Sequence, residues 1–328
     1  MEKQYSKKYL IETGIGLQDV DGLKNSSYYL NQAERYVKGE ITLDELESLI
    51  NSYYKNKPRS EDRTDEADRV SSRISNIVSD DSFTFTVGQL LSIHNRLFED
   101  VLDHPGQLRK YNFTKREWVL NGFSVTYGDY RELEATLQYD FEQEKKFNYQ
   151  GLSTNETIEH LAIFVSNLWQ IHAFEEGNTR TVAVFFIKYL RSLGFDVTND
   201  TFAKNAWYFR NALVRANYTN IAGGVYEDSS FLIKFLENLL LNKKHPLKNR
   251  YLHIDTEEPP IRYKTSREDF VLGALKHNPH LTEQQLADNT HCSLRTMKNV
   301  FKKLVDAKKI VRVNGKKNGY WLVIEKKK

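Results

Sequence analysis

From residue 131 to residue 242, apolar side chains recur at three- and four-residue spacing through one segment after another, with only short polar breaks. That period belongs to amphipathic helices packed on a shared core and leaves little chain for a sheet. Residues 131–147 have it, and so does IEHLAIFVSNLWQIHAF, which follows a start signal at Ser153 and Glu156. A short EEGN loop leads into TRTVAVFFIKYLRSL, ended by Gly194, and two more helices are expected in NDTFAKNAWYFRNALVRANY and DSSFLIKFLENLLLNKK. Upstream, SSYYLNQAERYVKGEITLDELESLINSYYKN reads as two short helices, with Gly39 capping the first and Thr42 and Glu45 forming a capping box for the second. Thr64, Asp65 and Glu66 start another helix running through VSSRISNIV, and Thr86 opens one to about Glu99. The β signal of this body is Asn121-Gly122 within WVLNGFSVTY, a short hairpin. Trp169, Phe174, Phe185, Phe186 and Tyr189 form a stripe best read as core packing.

The pattern changes after KKHPLKNRYLHIDTEEPPIRYKTS, which has a proline pair, mixed charge and no period. Beyond it, Ser266 caps a helix to about Lys276, Thr282 with Gln285 caps a second, and a turn at His291-Cys292-Ser293 precedes SLRTMKNVFKKLVDAKK. IVRV and YWLVI then flank NGKKNG as a hairpin. Three helices followed by a β-ribbon make a winged helix-turn-helix. The expected division is an N-terminal helical region over 1–60, a mainly α core over 61–242, a linker over 243–265 and the winged helix over 266–328.

Composition narrows the class. With 40% hydrophobic and 12% aromatic residues against 28% charged, the chain can bury real cores. A single cysteine, Cys292, excludes an internal disulfide and a Cys-based zinc site, and none of the nine histidines forms an i, i+4 pair with a nearby third ligand. MEKQYSKKYL lacks the apolar stretch of a signal peptide, and no run approaches the roughly 18 apolar residues that span a bilayer. A cytoplasmic protein with no membrane partner is the expectation. The net charge of +3 hides an asymmetry: residues 262–328 carry 16 Lys and Arg against 6 Asp and Glu, leaving the remainder acidic. A basic tail domain on a mildly acidic body suits one module meeting a polyanion. Arg295, Lys298, Lys302 and Lys303 recur along the third helix as a recognition helix needs for DNA, and Lys316 and Lys317 sit at the wing tip. The plainer alternative is a solvated basic face on a protein-binding winged helix.

The residues that carry chemistry are HAFEEGNTR, from His172 to Arg180, between two strong helical patterns. With His172 ending one helix and Thr179 starting the next, the backbone between presents free N–H groups at a helix N-terminus, an anion site. Gly177 lets the backbone approach a phosphate, Asn178 tolerates a left-handed turn and offers an amide donor, and Arg180 can grip phosphate oxygens with its fork. Glu176 is oddly placed beside an anion unless Mg²⁺ lies between them. His172 has the pKa to take a proton from an attacking hydroxyl. Alone, His172 would be a helix cap, Glu176 a solvated acid and Arg180 a surface cation; their spacing together describes phosphate-group transfer.

HAFEEGNTR resembles the H-x-F-x-[D/E]-G-N-x-R signature of the Fic family, named for filamentation induced by cyclic AMP. The likeness covers roughly residues 60–242: a flap hairpin upstream at 119–127, the helix ending in WQIHAF, and later helices with YFRNALVRANY. It implies a helical Fic core with a small β-hairpin flap, and a protein adenylyltransferase that moves AMP from ATP to a Tyr, Ser or Thr hydroxyl of a target protein, its own hydroxyls included. On that resemblance His172 deprotonates the hydroxyl, Glu176 holds Mg²⁺, Gly177, Asn178 and Thr179 cradle phosphates, Arg180 neutralises the departing pyrophosphate, and Phe174 holds the loop in shape. Val125, Thr126 and Tyr127 would pair with an extended stretch of target, and Asn211 would contact adenosine. A second copy of the chain is a further candidate partner.

Two positions depart from the family pattern. A second arginine often follows the first by three residues, and here that position is Ala183. Many members also carry an inhibitory helix, [S/T]-x-x-x-E-[G/N]; residues 64–78 resemble its remnant, with Ser71 and Asn76 in place and Ser75 where the glutamate belongs. Losing both charges together is expected to remove the obstruction and one γ-phosphate contact. The rival readings are a DNA-binding regulator whose Fic body senses nucleotide, and a Doc-like phosphotransferase or AMP-removing enzyme. The retained His172 argues against a pure sensor, while Thr179 stands where Gly is common in AMP transferases and Lys occurs in Doc, and so does not decide.

Overall fold

The computed structural model describes residues 5–254, 268, 271–272, 275–276, 279, 281–289, 294–313 and 319–324. The chain divides into two compact units, Met1–Ile254 and Asp255–Lys328. The division falls inside the stretch 243–265 expected to be a linker, and the N-terminal helices share a unit with the core they precede.

In the larger unit, α1 (Lys7–Gly16) begins where the Ser6 side chain accepts from the Tyr9 amide, and runs into a 3-10 turn at Leu17–Asp21. Next come α2 (Ser27–Lys38), stopped by Gly39 at φ 83°, and α3 (Leu43–Tyr54), whose Thr42–Glu45 capping box makes both of its bonds. After them come α4 (Thr64–Ser79), α5 (Val87–Phe98), α6 (Leu133–Lys146), α7 (Thr154–Ile171), α8 (Asn178–Ser192), α9 (Thr201–Ala216) and α10 (Ser230–Leu241). Ser153 and Glu156 cap α7 reciprocally, as their spacing predicts.

One large core joins these helices, and the aromatic stripe lies within it: Trp169, Phe174, Phe185, Phe186 and Tyr189 are all buried. Phe85 is its hub, with ring centroids 4.8 Å from Phe141, 5.8 Å from Phe185 and 4.4 Å from Tyr189. A smaller cluster, Ile11, Tyr29, Ala33, Tyr36, Leu46 and Ile50, fixes α2 and α3 against α1.

Two glycines let α1 approach its neighbours. A Cβ at Gly14 would lie 2.4 Å from the Ser71 carbonyl oxygen on α4, and one at Gly16 would lie 2.2 Å from that of Ala203 on α9. The N-terminal segment is therefore wedged between α4 and α9, and the 3-10 turn after it delivers Asp21 to the start of α8, where it reaches Arg180.

The Asn121-Gly122 turn forms, with φ of 54° and 87°. The segments beside it are joined by the Glu117 amide donating to the Phe123 carbonyl and the Gly122 amide donating to the Glu117 carbonyl, each at 2.9 Å, and the stretch before the turn tightens into a 3-10 helix at Trp118–Leu120. The flap is thus a tight turn without a strand ladder, because Val119 and Leu120 roll into the core instead of alternating.

In the smaller unit, α11 (Glu283–Asn289) and α12 (Leu294–Asp306) are followed by an antiparallel hairpin of β1 (Ile310–Val313) and β2 (Tyr320–Val323), with Ile310 opposite Val323 and Val313 opposite Tyr320. Thr282 and Gln285 make the expected capping box. Residues 268, 271, 272, 275 and 276 are helical, and Val271 and Leu275 pack with Leu286, Met297, Phe301, Leu304 and Trp321. Lys316 and Lys317, expected at the wing tip, lie outside the described residues. Among the described residues no helix is long and apolar enough to cross a membrane.

Candidate active site

Helix α7 ends at Ile171, and His172 takes the left-handed conformation, φ 51° and ψ 57°, that turns the chain towards α8. Arg109 makes that turn possible. Its Nε donates to the His172 carbonyl at 2.7 Å, Nη1 donates to Tyr111 O at 2.7 Å, and Nη2 donates to Gly128 O. Its own amide donates to Ala173 O at 2.9 Å. One buried guanidinium satisfies carbonyls of the helix end and the flap together, which explains how irregular backbone is tolerated inside the core.

The His172 ring is buried, and neither nitrogen has a hydrogen-bond partner among the described residues. Tyr127 stacks on its face at 3.9 Å and 23°, while Phe113 and Trp169 meet it edge-on at 5.6 and 5.4 Å. Burial, and after it the charges of Lys115, Arg109 and Arg210, hold its pKa well below 6.5. The imidazole is therefore neutral at physiological pH and free to accept a proton.

The loop beyond it is held by its own residues. The Asn178 carboxamide accepts from the Phe174 amide at 2.9 Å and donates to the Phe174 carbonyl at 2.7 Å. That side chain, expected as a phosphate donor, is engaged in closing the loop. Phe174 is buried and stacked on His94 at 3.7 Å. Because the Gly106 amide donates to His94 Nδ1 at 2.8 Å, Nε2 carries the ring proton and donates to the Glu176 carbonyl at 3.0 Å. Burial takes the His94 pKa down to about 4. Gly177 has φ 73°, and a Cβ there would sit 2.4 Å from the Phe98 ring. Glycine is required there by a ring packed behind the loop as well as by the backbone. Thr179 Oγ1 accepts from Trp169 Nε1 at 2.9 Å. The amides of Gly177, Asn178, Thr179 and Arg180 have no hydrogen-bond partner among the described residues, leaving a row of donors at the start of α8.

Arg180 is fully buried and its fork is engaged. Nη2 lies 2.7 Å from Glu66 Oε1 on α4 and 2.9 Å from Asp21 Oδ2, and Nη1 donates to Gln18 Oε1 at 3.0 Å. Burial pushes the Asp21 pKa up, but Arg180, Lys115, Arg210 and Arg63 together outweigh that and hold it below the usual carboxylate range. Arg63 grips Glu66 through two bonds of 2.8 Å and reaches Glu176 Oε2 at 3.2 Å. Ser75 and Ala183 leave no ion pair at the positions of the family's inhibitory pair; separately, two acids from other positions, Asp21 and Glu66, hold Arg180.

The remaining sequence candidates fall in several places. Val125 is buried, Thr126 is exposed with its carbonyl accepting from Gln170 Nε2 at 3.2 Å, and the amides of Val125, Thr126 and Tyr127 have no partner among the described residues. Asn211 is buried on α9 with Nδ2 donating to Asn249 Oδ1 at 2.8 Å. Ser71 and Ser75 face α1, donating to Gly14 O at 3.1 Å and Leu10 O at 3.0 Å, while Asn76 donates to Asp44 and Glu47. Ala183 is buried in the core. In the smaller unit Lys298, Lys302 and Lys303 are exposed along α12. Arg295 lies on the same helix, its side chain outside the described residues.

Sequence reasoning missed Arg109, His94, Asp21, Glu66, Lys115, Glu117 and Arg210. The last three form a charged group on the flap side: Glu117 is completely buried and takes Arg210 Nη1 at 2.7 Å, and burial lowers the pKa of the half-buried Lys115 between Asp21 and Arg210. Each is a lone residue far from the motif, so no local spacing could have flagged it.

The Fic/DOC family model matches residues 84–190. A protein adenylyltransferase of Bartonella henselae is 28% identical over 183 residues, half of this chain and 32% of that protein. Protein adenylyltransferase VbhT of Bartonella schoenbuchensis is 24% identical over 219 residues, 62% of this chain and 44% of its own length. The chain thus spans less than half the length of either relative. Among solved structures, the BepC protein of Bartonella tribocorum with bound AMPPNP is similar over 58% of this chain and 90% of its own, at TM-score 0.42 and 20% identity. A Fic family protein of Desulfovibrio desulfuricans is similar over 98% and 88%, at TM-score 0.42 and 12% identity. The chain carries a Fic/DOC family domain, with His172, Glu176 and Arg180 inside it.

Proposed function

We propose that this protein transfers AMP from ATP to a hydroxyl side chain of a target protein, its own hydroxyls among the acceptors. The observation that carries this reading is the neutral His172 imidazole beside four amides at the start of α8, none of them with a hydrogen-bond partner among the described residues. An acceptor hydroxyl gives its proton to His172, its oxygen bonds to the α-phosphorus, and the bond to the β-phosphate oxygen breaks to release pyrophosphate. The α8 amides supply donors for the phosphates, and Arg180 would add its charge on release from Glu66 and Asp21. Both relatives named above are called protein adenylyltransferases, which supports the same reading.

Glu176 suits Mg²⁺. Its carboxylate is half-exposed and touches Arg63 alone among the described cations. A cation held by one protein carboxylate and the nucleotide's own phosphates is the usual magnesium arrangement, and it offsets phosphate charge when bound. The free amides of Val125–Tyr127 support docking of an extended target segment by main-chain bonds.

ATP labelled separately at the α- and γ-phosphates, with Mg²⁺ and a His172→Ala control, tests the reading. Protein-bound α-label with an added AMP mass, lost in the control, is expected. Label from the γ-phosphate alone would mean phosphotransfer of the Doc kind, release of AMP from a modified target would mean the reverse reaction, and no label from either would favour a nucleotide sensor. For the smaller unit, the exposed Lys298, Lys302 and Lys303 on α12 support DNA binding. A mobility shift that steepens as salt falls, and weakens in Lys298→Ala with Lys302→Ala, is the expected result.

A further inference from the structure

A catalytic histidine is ordinarily aimed by a hydrogen bond from its second ring nitrogen to a carboxylate or carbonyl. His172 has no such bond among the described residues. Its ring is held by aromatic packing, with Tyr127 across one face and Phe113 and Trp169 at its edges. Trp169 is itself pinned through Nε1 to Thr179 at 2.9 Å. Tyr127 is pinned from the other side: its hydroxyl donates to Glu117 Oε1 at 3.3 Å.

Glu117 is an unusual residue to find there. It is wholly buried, and Arg210 of α9 holds both its oxygens, Nη1 at 2.7 Å from Oε2 and Nη2 at 3.1 Å from Oε1. Its backbone closes the flap turn as well, donating to Phe123 O and accepting from the Gly122 amide, each at 2.9 Å. A buried ion pair is costly unless well satisfied, and here it ties α9 to the flap at the residue that anchors Tyr127.

We infer that Tyr127 is the positioning residue for His172, and that the buried Glu117–Arg210 pair holds Tyr127 in place through the flap. In this role Tyr127 does two things with one ring: it fixes the tilt of the imidazole and keeps water off its face, so that the base stays neutral. It also sits on the segment whose free amides would receive a target, so docking and base orientation share a residue. The inference presupposes His172 as the general base proposed above, and its test does not depend on AMP transfer being observed.

The decisive measurement is an NMR titration of the His172 ring in histidine-labelled full-length protein, assigned with His172→Ala. The charged groups facing this ring are Lys115, Arg109 and Arg210, with the Tyr127 phenol, whose pKa burial raises. All three cations stay in place in the Tyr127 variants, so their contribution is common to every trace. The wild-type midpoint is expected well below 6.5. Tyr127→Ala is expected to raise it by about one pH unit, a tenfold gain in proton affinity. Tyr139→Phe, on an exposed site, should leave it unchanged.

An unchanged midpoint in folded Tyr127→Ala overturns the inference. Should that variant not fold, Tyr127→Phe decides, because it keeps the stack and loses only the bond to Glu117. A second His172 environment or a shifted ring resonance is then expected, and a spectrum identical to wild type overturns the inference. If the wild type transfers AMP, kcat for Tyr127→Ala should fall about tenfold or more with KM for ATP held within about twofold. A loss confined to KM would make Tyr127 a binding residue and sink the positioning role. If the wild type shows no transfer, the proposed activity fails while the titration still decides the inference.

Discussion

His94 shapes the loop from His172 to Arg180 from behind, and its protonation state is set by two backbone groups that demand opposite roles from its nitrogens. Its folded pKa of about 4 lies below the ordinary 6.5, so the unfolded chain binds the proton first on acidification. The stabilisation from the neutral ring is fully present above pH 6.5 and is lost as pH falls from there towards about 4. The gap corresponds to about 3 kcal/mol, and thermal melts from pH 7 to 4 should show that loss partly flattened in His94→Gln. Gly177→Ala should act at any pH. The new methyl meets Phe98 and the backbone is left-handed, so a loss of about 1–3 kcal/mol by denaturant titration is expected, together with loss of transfer. The motif was legible because its chemistry lies within nine consecutive residues, from His172 to Arg180. His94 and Arg109 were not, since a lone buried imidazole or guanidinium carries no local mark of what it will touch.

Helix α4 shows both what an element's sequence reveals and what it conceals. Its start at Thr64, Asp65 and Glu66 was readable from the acids that favour a helix N-terminus, and the helix runs Thr64–Ser79. Which face meets what was not readable. Ser71 and Ser75 turn to α1, where glycine at position 14 lets the backbones close, while Glu66, about one turn in, reaches Arg180. Ser75→Glu therefore places a carboxylate against the Leu10 carbonyl rather than restoring an inhibitory ion pair. The expected result is destabilisation of about 3 kcal/mol, read as a lowered Tm. The flap differed for a related reason: Asn121-Gly122 correctly signals a turn, but burial of Val119 and Leu120 replaces the expected alternation with a 3-10 helix.

Across the whole larger unit, Arg180 is held by residues from two distant parts of the chain. Asp21 arrives on the turn after α1 and Glu66 on α4, the latter 114 positions from Arg180. On the proposed function, nucleotide phosphates would compete with these carboxylates for the same fork. Asp21→Asn combined with Glu66→Gln should tighten ATP binding by about threefold or more in calorimetry, at the cost of a lower Tm from the loosened N-terminal wedge. Equal affinity would mean that ATP binds without recruiting Arg180. Composition showed the basic balance of the C-terminal part, yet no count could show acids of the larger unit converging on one buried cation; that is a property of the packed chain.

The bond from Trp169 to Thr179 has a practical consequence. It puts an indole against the imidazole and at the first turn of α8, wholly shielded from solvent. Trp118, by contrast, is about half exposed. Excited at its red edge, the protein should emit mainly from Trp118; the bluer emission includes Trp169, which changes as its neighbours gain charge or a nucleotide settles beside them. If the proposed nucleotide settles at the start of α8, Trp169 lies beside it as an intrinsic fluorophore, and occupancy should be readable by light without attaching anything to the protein.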